Sequence, residues 1–492
     1  MMSTKHQKGW YLELCLLFVV SLSILSTINY LYSEIDKDSV YIGISSNSLM
    51  QTLPAYLLEQ KPLSSLYFNH TSPPLFDAMR ALIATFWNAD YAPLPQFIDK
   101  GLYGLHTVLF GILSVLIFVW IAKATGSRIA SWLGALIWIL HPGPISMYSF
   151  LDPTFITSVF ITWLVFELWL LYKGEGAVSR LILVAVLCFL TKAHFQWFFV
   201  PVLATCMVLL GVDRKRLIIG LAALSFVVIL YCAKQFILFG TVHSYGFFGE
   251  NLTGSLWIEN IGDYDKDYKA NCGASSSTSN KADCEKFLSR YYPSDILQIG
   301  MTYPEGAKLL SGGGNNYNTE QYWWLSHVHT RIAKEQCAKH TRYCINSLIR
   351  SFRQNFPEYW VESWDRRNPV VSDENGIPWT NLYFKIAHNY PWLIFASFLV
   401  LTITLVSRWP QTNLMPIIGL SIIPLYVFTI TLTGNIYDAF EGGRLKFLLE
   451  PVIFTFIFVQ GVLSVRFIYL GSRGRQKDCR EKRGEEVIPR QN

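Results

Sequence analysis

The stretch that decides the fold class is residues 102–122, LYGLHTVLFGILSVLIFVWIA, which contains no aspartate, glutamate, lysine or arginine. A helix needs about 20 mainly apolar residues to cross a hydrocarbon core about 30 Å thick. Similar runs recur along the chain. We expect ten transmembrane helices, near 11–32, 102–122, 129–148, 153–172, 180–192, 194–211, 217–239, 389–407, 412–432 and 444–470. The sequence therefore predicts an all-α polytopic membrane protein.

The composition supports this class. Of the 492 residues, 51% are hydrophobic and 15% are charged, whereas an ordinary soluble domain carries about 25% charged residues. This balance excludes an ordinary soluble enzyme, and the apolar runs exclude a disordered, collagen-like or small disulfide-rich chain. We expect membrane lipid around the protein and no nucleic acid as a partner.

Lysine and arginine fall in alternate loops of the ten-span arrangement. Lys123 and Arg128 mark one such loop, Lys173 and Arg180 mark another, and a basic tail follows the last span. Basic residues in short loops favour the cytoplasmic side. We therefore expect both termini in the cytoplasm and the first span to be a retained signal anchor.

This orientation divides the chain into parts: an N-terminal transmembrane region at 1–239, an outer-loop domain at 240–388, C-terminal transmembrane helices at 389–470 and a basic cytoplasmic tail at 471–492. The first part includes an outer loop at 33–101. Both this loop and the outer-loop domain would lie on the periplasmic or luminal side of the membrane.

Both outer segments carry helical signals. In the first, helical periodicity over Ile44–Leu58 and Leu75–Trp87 predicts two interfacial helices. The pair Pro73-Pro74 excludes a continuous helix over 67–74. In the second segment we expect a mainly helical domain, with helices near 319–336 and 339–356.

Four of the nine cysteines lie in the second outer segment: Cys272, Cys284, Cys337 and Cys344. An even number outside the membrane favours disulfides in an oxidising compartment. Among the three possible connectivities, we favour the local pairs Cys272–Cys284 and Cys337–Cys344. A zinc site is the alternative, although neither pair has the tight spacing typical of zinc ligands.

The first candidate for chemistry is an acidic cluster directly after the first span, formed by Glu34, Asp36 and Asp38. A carboxylate held at the membrane surface can act as a general base. Asp36 and Asp38 can also share a divalent metal such as Mg²⁺ or Mn²⁺. The alternative interpretation is a charged boundary that ends the span.

The second set of candidates is suited to an anion. Lys192 lies in a polar break between two apolar runs, where a cation needs an anion or water. Arg444, three residues after Glu441 and beside two glycines, offers a fixed fork of donors that fits phosphate. His70 lies in a turn that prolines make rigid. Each candidate has an alternative interpretation. Lys192 would be a lysine that snorkels to the headgroups, Arg444 would belong to a buried structural ion pair, and His70 would be a surface histidine.

Taken in order, these motifs resemble the GT-C superfamily of polyprenyl-phosphate-sugar-dependent glycosyltransferases, in the branch of protein mannosyltransferases and aminoarabinose transferases. Asp38-Ser-Val-Tyr41 resembles the family's D-E-x-x-Y motif without its second acidic residue. His70-Thr-Ser-Pro-Pro-Leu75 resembles its H-x-P-L element, and Leu190-Thr-Lys192 its L-T-K element. Glu441-Gly-Gly-Arg444, followed by Pro451, resembles the E/N-x-x-R element before the last span.

The resemblance implies transfer of a sugar from a polyprenyl-phosphate carrier to a glycan, lipid or protein acceptor on the outer face. Asp38 would deprotonate or orient the acceptor hydroxyl, with Asp36 or Glu34 assisting. Arg444, Lys192 and His70 would offset the charge of the lipid phosphate, with Glu441 beside them.

Two other functional classes stay open. One is a polytopic transporter or lipid flippase, in which Asp152, Glu167 and Glu450 would form a proton or substrate pathway. The other is a non-catalytic membrane scaffold whose outer domain binds partners.

Overall fold

The computed structural model describes residues 4–36, 45–49, 51–90, 92–192, 195–243, 246, 248–256, 264–272, 281–311, 316–355, 447–459 and 461–463. Within these ranges the regular secondary structure is helical and contains no β-strand. The predicted all-α class is confirmed for this part of the chain.

In chain order the helices are α1 Thr4–Asp36, α2 Ala55–Gln60, α3 Pro62–Phe68, α4 Pro74–Ala84, α5 Leu94–Thr125, α6 Arg128–Ile139, α7 Pro142–Tyr148, α8 Pro153–Tyr172, α9 Val178–Thr191, α10 Phe199–Leu209, α11 Arg214–Phe239, α12 Phe248–Ser255, α13 Tyr264–Asn271, α14 Lys281–Leu288, α15 Ser294–Leu297, α16 Glu320–Lys339 and α17 Thr341–Asn355. A final helix spans Glu450–Leu463. Short 3₁₀ segments lie at Ser46–Ser48, Glu305–Ser311 and Phe447–Leu449.

Four of the described helices are long and apolar enough to cross a membrane: α1, α5, α8 and α11. The ten predicted spans are not confirmed, since α6, α9, α10 and the final helix are apolar but shorter. Helix α10 has 11 residues, and at 1.5 Å per residue it covers only about half of a 30 Å hydrocarbon core. The predicted spans at 389–407 and 412–432 lie outside the described residues.

The predicted span 129–148 is divided by a proline. Pro142 lacks an N–H donor and cannot continue α6, and the residue before a proline is driven to extended geometry. His141 accordingly has φ −71° and ψ 123°, and its side chain accepts a hydrogen bond from the N–H of Gly143. One apolar run therefore becomes α6 and α7.

Helix α8 is central to the membrane-length bundle and is buried along most of its length. It packs against α5 and α9, and α9 packs against α11. Because α8 and α9 form an antiparallel hairpin, the first residues of α8 lie beside the last residues of α9. At the other end of the bundle, Lys123 forms an ion pair with Glu175 in the α8–α9 loop.

The segment between α1 and α5 packs onto this bundle through α4, which contacts α5 and α9. The predicted helix over Leu75–Trp87 is confirmed as α4, and 69–73 is not helical. The single helix expected over Ile44–Leu58 is wrong. Residues 51–54 are turn and extended chain, because Pro54 cannot donate within a helix and restricts the residue before it.

The described part of the segment after α11 is mainly helical, and the two predicted helices are confirmed as α16 and α17. Cys272 is joined to Cys284 and Cys337 to Cys344 by disulfides, which confirms the predicted local pairing and leaves these sulfurs unavailable to zinc. Buried Phe287, Trp324 and Leu325 belong to the core of this segment.

Candidate functional site

A buried carboxylate begins α8. One oxygen of Asp152 accepts a hydrogen bond from the Thr154 N–H at 2.8 Å, and the other accepts the Thr154 hydroxyl at 2.8 Å. Aspartate at the N-cap followed by proline at the first helical position is a favourable helix start. Asp152 is only 1% exposed, so its carboxylate is held in one orientation inside the protein.

Lys192 reaches the same point from the neighbouring helix. It caps the C-terminus of α9, and its Nζ donates to the Thr154 hydroxyl at 2.5 Å. The Thr154 oxygen therefore accepts from the ammonium and donates to Asp152. Burying a charged group is costly unless it is hydrogen-bonded and compensated by an opposite charge. The three side chains form one polar unit, which we call the Asp152–Thr154–Lys192 cluster.

A histidine from α5 lies beside this cluster. The ring of His106 packs on Phe155 with 5.2 Å between centroids. Its Nδ1–H donates to the Tyr148 carbonyl at 2.8 Å, which fixes the neutral ring as the Nδ1–H tautomer. Its Nε2 is buried and has no hydrogen-bond partner among the described residues. A fixed neutral imidazole with an available lone pair can accept a proton or a hydrogen bond.

A second polar pair connects α7 to the final helix. Nε2 of His141 lies 3.5 Å from Oε1 of Glu450, and both side chains are buried. Tyr148, at the end of α7, shares a hydroxyl–hydroxyl hydrogen bond of 2.6 Å with Tyr103 of α5. Polar side chains from α5, α7, α8, α9 and the final helix thus occur in this part of the bundle.

Glu167 lies at the opposite end of α8. It accepts hydrogen bonds from Arg180 at 2.8 Å and from the Trp163 indole at 3.2 Å. At 1.5 Å per residue, Asp152 and Glu167 are separated by about 20 Å along the helix. The two acids therefore belong to different environments.

Among the residues predicted for catalysis, Asp38 lies outside the described residues. Glu34 and Asp36 lie in the last turn of α1, but their side chains are not described. The carboxylate base and the Asp36–Asp38 metal site thus stay predictions. Within the described part of the chain, no group of three or more His, Cys, Asp or Glu residues is arranged to hold a metal.

Of the residues predicted to bind phosphate, Arg444 and Glu441 also lie outside the described residues. Lys192 belongs to the buried cluster above. His70 lies elsewhere: its ring Nε2 is 3.2 Å from the Tyr303 hydroxyl, and its backbone N–H donates to the Asn318 side-chain oxygen at 3.3 Å. Its hydrogen bonds thus connect it to the segment after α11.

A network of buried side chains fixes the chain that follows the acidic cluster. Arg80 forms a 2.7 Å ion pair with Asp77 and donates to Asn47 and to the Leu53 carbonyl, each at 2.7 Å. Asp99 accepts from Ser45 and Ser46 and from the Asn47 amide. Residues 45–49 and 51–53 are thereby anchored to α4 and α5.

Sequence reasoning singled out Lys192 and, for a transporter, Asp152, but it missed Thr154 between them and His106 beside them. The signal for Thr154 was the Asp-Pro-Thr sequence at the start of an apolar run, a helix-capping pattern. The signal for His106 was its position inside the run 102–122, because a polar residue within a predicted span is a functional candidate. Nothing local predicts the contact between His141 and Glu450.

Comparisons of the chain with models of protein families, with curated proteins and with solved structures find no match.

Proposed function

We propose that this protein is a multi-pass membrane glycosyltransferase that takes a sugar from a polyprenyl-phosphate carrier at the outer membrane face and passes it to an acceptor hydroxyl. The observation that carries the proposal is the buried Asp152–Thr154–Lys192 cluster at one end of α8. The motif order described above supports the same class of reaction.

The reaction is a displacement at the anomeric carbon. The acceptor oxygen forms a bond to that carbon, and the bond from the carbon to the phosphate oxygen breaks with its electron pair leaving on the carrier phosphate. The acceptor proton passes to a base. Stabilising the charge that grows on the phosphate is the larger task, and preorganised cations perform it well in a site that excludes water.

Lys192 is suited to that task. Lys192 is 7% exposed and its ammonium is positioned by the Thr154 hydroxyl, so little reorganisation is needed when phosphate arrives. Asp152 stabilises the ammonium through Thr154 and holds it in place. In this scheme Asp152 is a positioning residue, Asp38 is the base and Arg444 is a second phosphate ligand.

The location suits a lipid-linked donor. The cluster lies at one end of α8, which is long and apolar enough to cross a membrane. A polyprenyl chain lies in the hydrocarbon region and its phosphate in the headgroup layer, where the end of such a helix also lies. A ten-span topology with this end on the periplasmic or luminal side completes the proposal.

A transporter or flippase would require Asp152, Glu167 and Glu450 to act along one path. The separation of Asp152 from Glu167, and the pairing of Glu167 with Arg180, favour the enzyme over this alternative. The substitution Lys192→Met distinguishes the enzyme from the transporter further. An enzyme that lacks Lys192 should still bind acceptor but fail to release the carrier phosphate.

The test uses purified full-length protein in nanodiscs, a radiolabelled polyprenyl-phosphate sugar and solubilised membranes as acceptor. Wild type should transfer label and release polyprenyl phosphate. Lys192→Met should reduce the rate by about a hundredfold or more, the scale of losing an electrostatic stabiliser. Lys173→Met, at the exposed opposite end of α8, is the matched control and should transfer at the wild-type rate. Wild-type protein that neither consumes donor nor releases carrier phosphate, with every acceptor fraction, would reject the proposal.

A further inference from the structure

A cavity of about 270 Å³ lies where α11 ends and α16 crosses it. Its walls come from three parts of the chain that are distant in sequence. The lining residues are His70, Phe236, Phe239, Gly240, Thr241, Val242, His243, Gly246, Trp323, Ser326, His327, Thr330 and Lys334. None of these belongs to the Asp152–Thr154–Lys192 cluster.

The polar part of this lining is basic. It presents three histidines, His70, His243 and His327, together with Lys334 at the exposed rim. No aspartate or glutamate is among the described residues of the lining. A cavity whose side chains supply nitrogen and hydroxyl groups without a carboxylate is complementary to an anion.

His70 points to a ligand independently of this charge pattern. It is 2% exposed, and its Nδ1 is buried without a hydrogen-bond partner among the described residues. Leaving a buried polar atom unpaired costs about 1–3 kcal/mol. Burial, with the nearby charges of Lys234 and His327, lowers the pKa of His70 to about 3. An anion beside Nδ1 favours the form of the ring that carries a proton on this nitrogen, and it accepts the hydrogen bond from that proton.

The opposite wall is held rigidly. The carbonyl of Phe239, the last residue of α11, accepts the Trp323 indole N–H at 3.0 Å and the His327 Nε2–H at 2.9 Å. The Nδ1 of the neutral His327 ring then has a lone pair, which can accept the proton of a monohydrogen phosphate group. The hydroxyl oxygen of Ser326 accepts the Gly249 N–H at 3.2 Å, so its proton can be donated. These groups are positioned before any ligand binds.

Size and surroundings narrow the ligand. Typical small-molecule pockets measure about 300–1,000 Å³, so this cavity suits a small polar group, with Phe236, Phe239 and Trp323 supplying an apolar wall. Phe236 is 60% and the adjacent Ile237 78% exposed on α11, so apolar surface continues outward from the cavity along a helix of membrane-spanning length.

We infer that this cavity is a binding site for a phosphate-bearing ligand, contacted by His70, His327 and Lys334 and separate from the cluster at Lys192. A monohydrogen phosphate group presents both anionic oxygens and a hydroxyl in different directions, which matches the ammonium of Lys334, the Ser326 hydroxyl and the accepting ring nitrogen of His327. The group can come from a soluble phosphoester or from a lipid headgroup whose tails follow α11. The inference does not depend on the proposed transfer reaction.

The experiment uses full-length protein in nanodiscs of phosphatidylcholine. In the first arm, inorganic phosphate and glycerol 3-phosphate are titrated and binding is followed by ³¹P NMR. In the second arm, the nanodiscs contain phosphatidic acid, and native mass spectrometry counts retained lipid. Binding in the first arm identifies a soluble phosphoester site, and binding in the second alone identifies a headgroup site.

Variants locate the binding. Lys334→Met and His327→Gln should each weaken it at least tenfold. Lys339→Met and His340→Gln remove the same side-chain types from exposed positions at the end of α16 and should leave binding unchanged. Because Lys334 is exposed, its variant should fold normally, and its thermal unfolding curve serves as the check. Absence of binding by wild type in both arms, or equal weakening in the control variants, would overturn the inference.

Discussion

Lys192 and Thr154 are joined by a 2.5 Å hydrogen bond between two helices, across 38 residues of sequence. The same threonine hydroxyl donates to Asp152, so one small side chain connects a buried ammonium to a buried carboxylate. Valine has nearly the same shape as threonine but cannot make either bond. The cluster can therefore be tested without changing either charge.

Thr154→Val should reduce sugar transfer at least tenfold and weaken donor binding, since the ammonium loses the group that positions it. Thr154→Ser keeps the hydroxyl and should remain within a fewfold of wild type. Thr162→Val is the matched control. Thr162 is also buried on α8, but among the described residues its hydroxyl bonds the Ser158 carbonyl of the same helix. Rates and donor affinities of the three variants are measured side by side, and equal losses in Thr154→Val and Thr162→Val would reject a specific role for Thr154.

The local elements of this site are predictable from sequence, and the contacts between them are not. The periodicity of apolar residues and the positions of prolines predict α4, α8 and the end of α9 at Lys192, with small errors in the helix boundaries. Disulfide pairing also follows from short separations, as at Cys337 and Cys344. The bonds from Lys192 to Thr154 and from His141 to Glu450 depend on how distant helices pack, which no local pattern records.

The break between α6 and α7 shows how one residue defeats a hydropathy pattern. The apolar run continues through Pro142, so a window average predicts one span. The missing N–H and the ring of proline end the helix regardless of hydropathy. His70 shows a different limit of sequence reasoning. The order of motifs grouped it with Lys192, whereas its hydrogen bonds join it to Tyr303 and Asn318.

Sidedness is the next prediction. The Lys123–Glu175 ion pair brings the basic α5–α6 and α8–α9 loops to one end of the bundle. A small epitope tag inserted at Gly174 in one of these loops should be inaccessible from outside intact cells. A tag at the exposed Lys308, in the disulfide-bearing segment, should be accessible. Outside labelling at Gly174 would reverse the proposed orientation.

Asp38 is the residue on which the proposed base mechanism rests. Asp38→Asn preserves size but removes the proton acceptor, and it should lower turnover by about a hundredfold, within the usual range for a general base. Donor binding and membrane insertion should stay close to wild type. Arg444→Lys should instead weaken donor binding, because lysine cannot make a two-pronged phosphate contact. Near-normal transfer by a correctly inserted Asp38→Asn protein would assign the base to another residue, with Asp36 tested next.

The buried pair of Arg80 and Asp77 should be structural. Both side chains are almost completely buried, and Arg80 also binds Asn47 and the Leu53 carbonyl. Removing one partner of such a pair typically costs about 3–5 kcal/mol. Arg80→Met should therefore lower the thermal midpoint in detergent by several degrees, whereas Arg331→Met, at an exposed position of α16, should not. An unchanged midpoint for Arg80→Met would show that the network contributes little to folding.

Glu250 on α12 gives a prediction about pH. Burial raises its pKa to about 8, an effect only partly offset by the hydrogen bond from Tyr268. The folded protein therefore keeps this proton between about pH 4.5 and 8, where an unfolded glutamate has lost it. Stability from this group falls as pH rises through that window, by at most about 1.4 kcal/mol per pH unit. Above pH 8 both states are ionised and the loss stops growing.

Glu250→Gln should remove that dependence. The difference in thermal midpoint between variant and wild type should be small at pH 5 and should grow in favour of the variant up to pH 8. Glu335→Gln, at an exposed position of α16, should show a constant difference over the same range. The variant needs no activity assay, since unfolding is followed by intrinsic tryptophan fluorescence. A Glu250→Gln protein that becomes less stable than wild type as pH rises would mean that Glu250 is ionised and paired in the folded state, contrary to the raised pKa.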